Sequence, residues 1–127
     1  MNGALKHRGP DRSDTVHFHA CSLGHGSLPI SGSVPQRHPA SNQTDSPSHA
    51  VVFDGEIYDR QALEGLLPTR RGSLTHRSNA QLAVAAYRAH GPDGLAFLDG
   101  PFALAIWDER QQQLLLARDR FGQKPLY

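Results

Sequence analysis

Residues 101–119 read PFALAIWDERQQQLLLARD, and this stretch decides the fold. Phe102, Leu104 and Ile106 point one way along an extended chain, and Ala103, Ala105 and Trp107 point the other. A strand that is apolar on both faces is a central one, covered on each side. A polar turn follows it and leads into a second strand. Something must lie above this sheet and something else below it.

Working outward, the material for one cover is plain. Residues 78–91, SNAQLAVAAYRAHG, predict a helix. Ser78 and Gln81 form a capping box, Leu82, Ala85, Ala86 and Ala89 make the buried stripe, and Gly91-Pro92 stops it. Asp59 is placed to cap an earlier helix running to about Leu67, with Ala62, Leu63, Leu66 and Leu67 on one face and Pro68 ending it. PDGLAFLDG, residues 92–100, adds one short helical turn, and residues 50–53 form a short strand. Upstream the signal is poorer. Residues 1–13 read as a polar arm with a turn at Gly9-Pro10, and residues 16–23 alternate loosely, as an exposed strand would. Residues 24–48 are rich in Ser, Pro, Gly, His and Asn and read as a long polar loop. Strands and helices are mixed and the sheets are covered, so the fold class is α+β, a sandwich, with residues 50–127 as its ordered half.

Composition excludes several functions. The chain has 127 residues, one domain's worth, with 38% hydrophobic and 20% charged residues. Its net charge of +1 is made of scattered groups, so nucleic acid is not an expected partner. No run approaches the ~20 apolar residues that span a bilayer, and the first residues read as no signal peptide. A single cysteine, Cys21, excludes an internal disulfide and suits a reducing cytoplasm. HFHACSLGH sets His17, His19 and Cys21 at alternate positions, which would share one face of a strand. These are metal-ligand types. With eight histidines spread over the chain, the pattern reads as a histidine-rich exposed edge, and no metal is expected.

Five words in fixed order go further than pattern does: HRGPD (residues 7–11), LGH (23–25), DGEIYD (54–59), FLDGPFALAIWD (97–108) and LLLARDRFGQKPLY (114–127). Together they resemble the amino-terminal, class II glutaminase domain of glutamine-hydrolysing asparagine synthetases, over nearly the whole chain. The resemblance implies a four-layer αββα sandwich of the N-terminal-nucleophile hydrolase type, here incomplete at both ends. It implies a site that splits L-glutamine and passes ammonia to a synthetase domain in cis. That domain, which uses ATP and magnesium, is absent from this chain, and no cofactor is expected within it. A homodimer is a further expectation.

The same resemblance assigns positions. Asp54 and Gly55 fall at the oxyanion hole. Ser27, Leu28, Pro29, Ile30, Asp54, Gly55, Glu56 and Asn79 fall where glutamine is held. Several types have changed. The family nucleophile is an amino-terminal cysteine whose own amine is the base, and the start MNGALKHRGPD lacks it. Cys21 is internal and reads as a small buried thiol. Ser27 stands in place of an arginine that clamps the α-carboxylate, Asp54 in place of an oxyanion-donating asparagine, and Asn79 in place of an aspartate that pairs with the α-ammonium. Gly55 and Glu56 are retained. The expected function is that of an amidotransferase domain whose glutaminase chemistry is lost. The alternatives left open are a scaffold for a synthetase that does not use glutamine, as in β-lactam-forming synthetases, and a gene fragment.

Overall fold

The computed structural model describes residues 12–27, 40–41, 48–68 and 77–127. A four-stranded antiparallel sheet forms the centre, in the order β3 (Ala40–Ser41), β4 (His49–Gly55), β5 (Phe102–Asp108) and β6 (Gln113–Arg118). β5 is an inner strand with both faces apolar, as its alternation requires. Its register sets Ile106 opposite Val51, Leu104 opposite Phe53 and Phe102 opposite Gly55.

One face of the sheet carries the main core. Val51, Phe53, Phe102, Leu104 and Ile106 pack there against α1 (Arg60–Leu66) and α2 (Asn79–His90). Phe53 and Phe102 stack with ring centroids 5.9 Å apart. Both helix starts follow from their caps. Asp59 accepts from the Ala62 N–H, and Ser78 and Gln81 close the reciprocal box. The buried stripe of α2 is wider than the expected one. Ala80, Ala83, Val84 and Tyr87 join Leu82 and Ala86, while Ala85 and Ala89 are only partly covered. In α1 only Leu63 is buried, with Leu67 just beyond it; Ala62 and Leu66 face solvent, because so short a helix offers one turn to the core. Residues 92–100 contribute more than a turn, a 3-10 segment over Gly91–Phe97.

The opposite face is covered by a hairpin of β1 (Arg12–His17) and β2 (Ser22–Ser27). Leu23 packs there on Ala50 and Trp107, with Val16, Phe18, Cys21 and Val52 around them. The indole N–H of Trp107 donates to Glu109 at 2.6 Å. The expectation of one strand over residues 16–23 is therefore corrected: the chain turns at residues 18–21, where the Phe18 N–H reaches the Cys21 carbonyl at 2.7 Å. The long-loop reading of residues 24–48 is corrected in part, since residues 24–27 belong to β2 and residues 40–41 to β3. A hairpin this polar pairs through its backbone, which composition does not register. Residues 28–39 and 42–47 of that expected loop, residues 69–76 and the first eleven residues lie outside the described residues. The order of layers is thus helices, sheet, hairpin: an antiparallel α+β architecture. Among the described residues the cover is incomplete over β6. Leu114 and Leu116, on its hairpin side, are 48% and 51% exposed.

Candidate functional site

The site is built where β4 ends. Gly55 takes φ +138, and a Cβ on it would lie 2.0 Å from the Pro101 carbonyl oxygen. Gly100, with φ +130, answers it: a Cβ there would lie 2.3 Å from the Glu56 carbonyl. Two segments therefore cross at a distance only glycines allow. The Glu56 N–H donates to the Pro101 carbonyl at 2.9 Å and the Tyr58 N–H to the Asp99 carbonyl at 2.8 Å. The FLDG and DGEIYD words meet here and hold each other in place. Phe102, opposite Gly55, gives its backbone groups to Asp119 instead, so the alternation of the ladder turns the Gly55 N–H away from β5.

Asn79, first residue of α2, closes the other side. Its amide donates to Glu56 Oε2 at 3.0 Å and to the Gly55 carbonyl at 3.3 Å. Its Oδ1 accepts from the guanidinium of Arg60, whose other amino group donates to the Arg77 carbonyl. Asp54 projects on the hairpin side of the sheet, in line with Ala50 and Val52. Its carboxylate is 66% exposed and meets Lys124 Nζ at 3.0 Å. His25 of β2 lies close enough to feel it. Burial pushes the His25 pKa down, and the carboxylates of Asp54 and Asp14 offset that only in part.

Lys124 is delivered by the last sequence word. Asp119 is buried and accepts from the backbone N–H groups of Gln123 (2.8 Å), Lys124 (3.1 Å) and Phe102 (3.3 Å). Burial alone would raise its pKa, but these donors with that of Phe121 outweigh it and hold the carboxyl below the usual range. The RDRFG stretch is therefore a turn wound around one carboxylate, and it fixes where Lys124 can reach.

Of the positions singled out in the sequence, Asp54, Gly55, Glu56 and Asn79 converge on this end of the sheet. Ser27 closes β2, and Leu28, Pro29 and Ile30 lie outside the described residues. Arg60 and Lys124 were missed. Arg60 follows a capping residue and carries no pattern of its own. Lys124 sits in a word that reads as structural, and only the tertiary fold brings it to Asp54. Cys21 is elsewhere. It packs by Trp107, five residues along β5 from Phe102, or about 17 Å. Burial raises its thiol pKa, with the Glu109 carboxylate adding to the effect. His17, His19 and Cys21 do not share a strand face, because β1 ends at His17, which meets Ser22 Oγ at 2.9 Å. Among the described residues no three His, Cys, Asp or Glu side chains are grouped to hold a metal ion, and no helix is long and apolar enough to cross a membrane.

The whole chain, residues 1–127, matches the family model described as a glutamine amidotransferase domain. It is 30% identical over 127 residues to asparagine synthetase [glutamine-hydrolyzing] 3 of Bacillus subtilis, covering all of this chain and 21% of that protein. It is 35% identical over 129 residues to the asparagine synthetase [glutamine-hydrolyzing] of Asparagus officinalis, again covering all of this chain and 21% of the relative. A third relative, amidase chry2 of Gibberella zeae, is 35% identical over 128 residues, with 97% of this chain and 18% of that protein aligned. The chain belongs to the glutamine amidotransferase domain family, in the form found in asparagine synthetase-like proteins. It spans about a fifth of the length of the relatives it matches.

Proposed function

We propose that this domain retains the amidotransferase ligand site at the end of β4 but does not hydrolyse glutamine. The observation that carries the reading is Asp54. Acyl transfer from an amide builds negative charge on the carbonyl oxygen, and the site must meet it with donors. The Gly55 N–H is turned outward at this point, a suitable first donor. The neighbouring side chain is a carboxylate, which has no proton to give and repels the developing charge. Lys124 reduces that repulsion, yet it is engaged with Asp54 and partly in solvent. Losing one such donor costs ~10²–10³ in kcat. Acyl transfer also needs an activated nucleophile at the site, and Cys21, distant from Gly55 with its thiol pKa raised, does not supply one.

The wider assignment rests on the relatives. L-Glutamine is the proposed ligand class, the four-layer αββα sandwich the proposed full architecture, and residues 1–127 one partial domain of it. Helices, sheet and hairpin stacked in that order support the sandwich. A synthetase domain in cis, using ATP and magnesium in a cytoplasmic setting, is the proposed partner. The amidase name of one relative favours a second reading, in which the domain is a scaffold beside a synthetase that takes its nitrogen from elsewhere.

The test is glutamate release. The purified chain, incubated with glutamine, is expected to give no more glutamate than a heat-treated control, before or after Asp54→Asn. Turnover above that control by the unaltered chain overturns the reading.

A further inference from the structure

We propose that this site selects an amide-bearing carboxylate that lacks a free α-ammonium, with Arg60 receiving the carboxylate; the proposal rests on the reading of this end of the sheet as a ligand site. A guanidinium carries five N–H donors in a planar fork. Arg60 uses two of them, one on Asn79 Oδ1 and one on the Arg77 carbonyl. These two contacts fix the plane of the fork and leave three donors, on a side chain that is only partly covered. A fork held in this way is ready for a planar carboxylate.

The charges around it agree. Asn79 is a neutral spacer between the Arg60 cation and the Glu56 carboxylate, bonding one through its oxygen and the other through its nitrogen. Across the loop, Asp54 is matched by Lys124. Of the three carboxylates of the loop, Asp54 is thus paired with a cation, Asp59 caps α1, and Glu56 shares the Asn79 amide with Arg60. An ammonium beside Asn79 meets Glu56, with one oxygen already engaged by that amide and Arg60 on the amide's other side. The amino end of the twelve-residue α2 adds partial positive charge at Asn79. A zwitterionic amino acid loses at its ammonium what it gains at its carboxylate. An anion with the same amide does not.

Glutaric acid monoamide is glutamine without its ammonium group, so the pair isolates the question. Calorimetric titration of the 127-residue chain is expected to give at least ~10-fold tighter binding for the monoamide than for L-glutamine. Asn79→Asp, which adds a carboxylate beside Glu56, is expected to reverse that order. Arg60→Gln is expected to weaken the monoamide ~10-fold and to leave glutamine within about threefold. Preference of the unaltered chain for glutamine overturns the proposal and leaves the ligand site standing. Equal loss of both ligands in Arg60→Gln also overturns it, since a residue that merely ties α1 to α2 would act that way. Binding of neither ligand overturns the proposal together with the ligand site. If Arg60→Gln fails to give a cooperative melt, the order of affinities in Asn79→Asp decides alone.

Discussion

Lys124 Nζ lies 3.0 Å from Asp54 Oδ1, although seventy residues separate them. The pair joins the turn after β6 to the end of β4 and sets the charge beside Gly55. Its energy is another matter. With Asp54 66% exposed and Lys124 35%, water screens the attraction. Lys124→Met is expected to change the free energy of unfolding by less than ~1 kcal/mol, read from urea melts. A larger loss would mean that the pair holds the fold and not only the local charge.

Asp119 is the opposite case. Its carboxylate gathers backbone donors from two segments, and Asn at this position retains the shape but loses the charge. Asp119→Asn is expected to lower the melting temperature more than Lys124→Met does. It should also loosen residues 121–124, seen as faster amide exchange at Gln123 and Lys124. Unchanged exchange there would show that the turn stands without the carboxylate.

Two glycines test the crossing of the two segments, and a third in α1 serves as their control. Gly55→Ala and Gly100→Ala each set a methyl group within 2.3 Å of a backbone carbonyl oxygen at positive φ, and each is expected to cost more than ~3 kcal/mol or to abolish folding. Gly65, in α1, has nothing within 4 Å of its prospective Cβ. Gly65→Ala is expected to stabilise the domain by ~0.5–1 kcal/mol. Denaturant melts of the three variants check both signs.

Acid sensitivity follows from the other end of the sheet. His49 and Asp108 face each other across β4 and β5, with Nε2 3.3 Å from Oδ2, and the Tyr87 hydroxyl donates to the same oxygen at 3.2 Å. Burial lowers the His49 pKa more than Asp108 raises it, so the folded state holds the ring neutral. Burial works against Asp108 too, but the N–H groups of Gln111 and Arg110, with His49 and Tyr87, keep its pKa below the ordinary carboxylate value. Both folded pKa values lie below the unfolded ones, so both contributions are complete above the unfolded pKa and are lost on acidification. Stability is expected to fall first as pH drops below ~6.5, through His49 and His25, and again below ~4, through Asp108 and Asp119. His49→Gln should shrink the upper step in melts taken between pH 7.5 and 5, leaving the part that His25 carries. Tyr87→Phe should cost ~0.5–1.5 kcal/mol at neutral pH.

The sheet and its helical cover were legible because each is written in a local period. The two-sided apolar run of Phe102–Asp108, the Ser78–Gln81 box and the Asp59 cap all mean the same thing in sequence as in the fold. The hairpin was not, since Ser22, Gly24 and Gly26 alternate with Leu23 and His25 too weakly to mark a strand. Its pairing comes from backbone hydrogen bonds, and its hold on the sheet comes from Leu23 with Val16, Phe18 and Cys21 against Trp107. The site divides in the same way. Asp54, Gly55, Glu56 and Asn79 stand in recognisable words, whereas Arg60 and Lys124 act only through contacts nineteen and seventy residues away.

β6 has no neighbour on its outer side among the described residues, and Leu114 and Leu116 stand in water beside that row of unpaired backbone groups. Such a strand makes dilution a folding variable. Two chains that meet through QLLLAR while still collapsing gain hydrogen bonds at once, before α2 has covered the sheet, and so compete with their own completion. Refolding yield should therefore fall as protein concentration rises. A lysine in place of Leu116 would restore the yield while leaving Asp54 and Asn79 untouched.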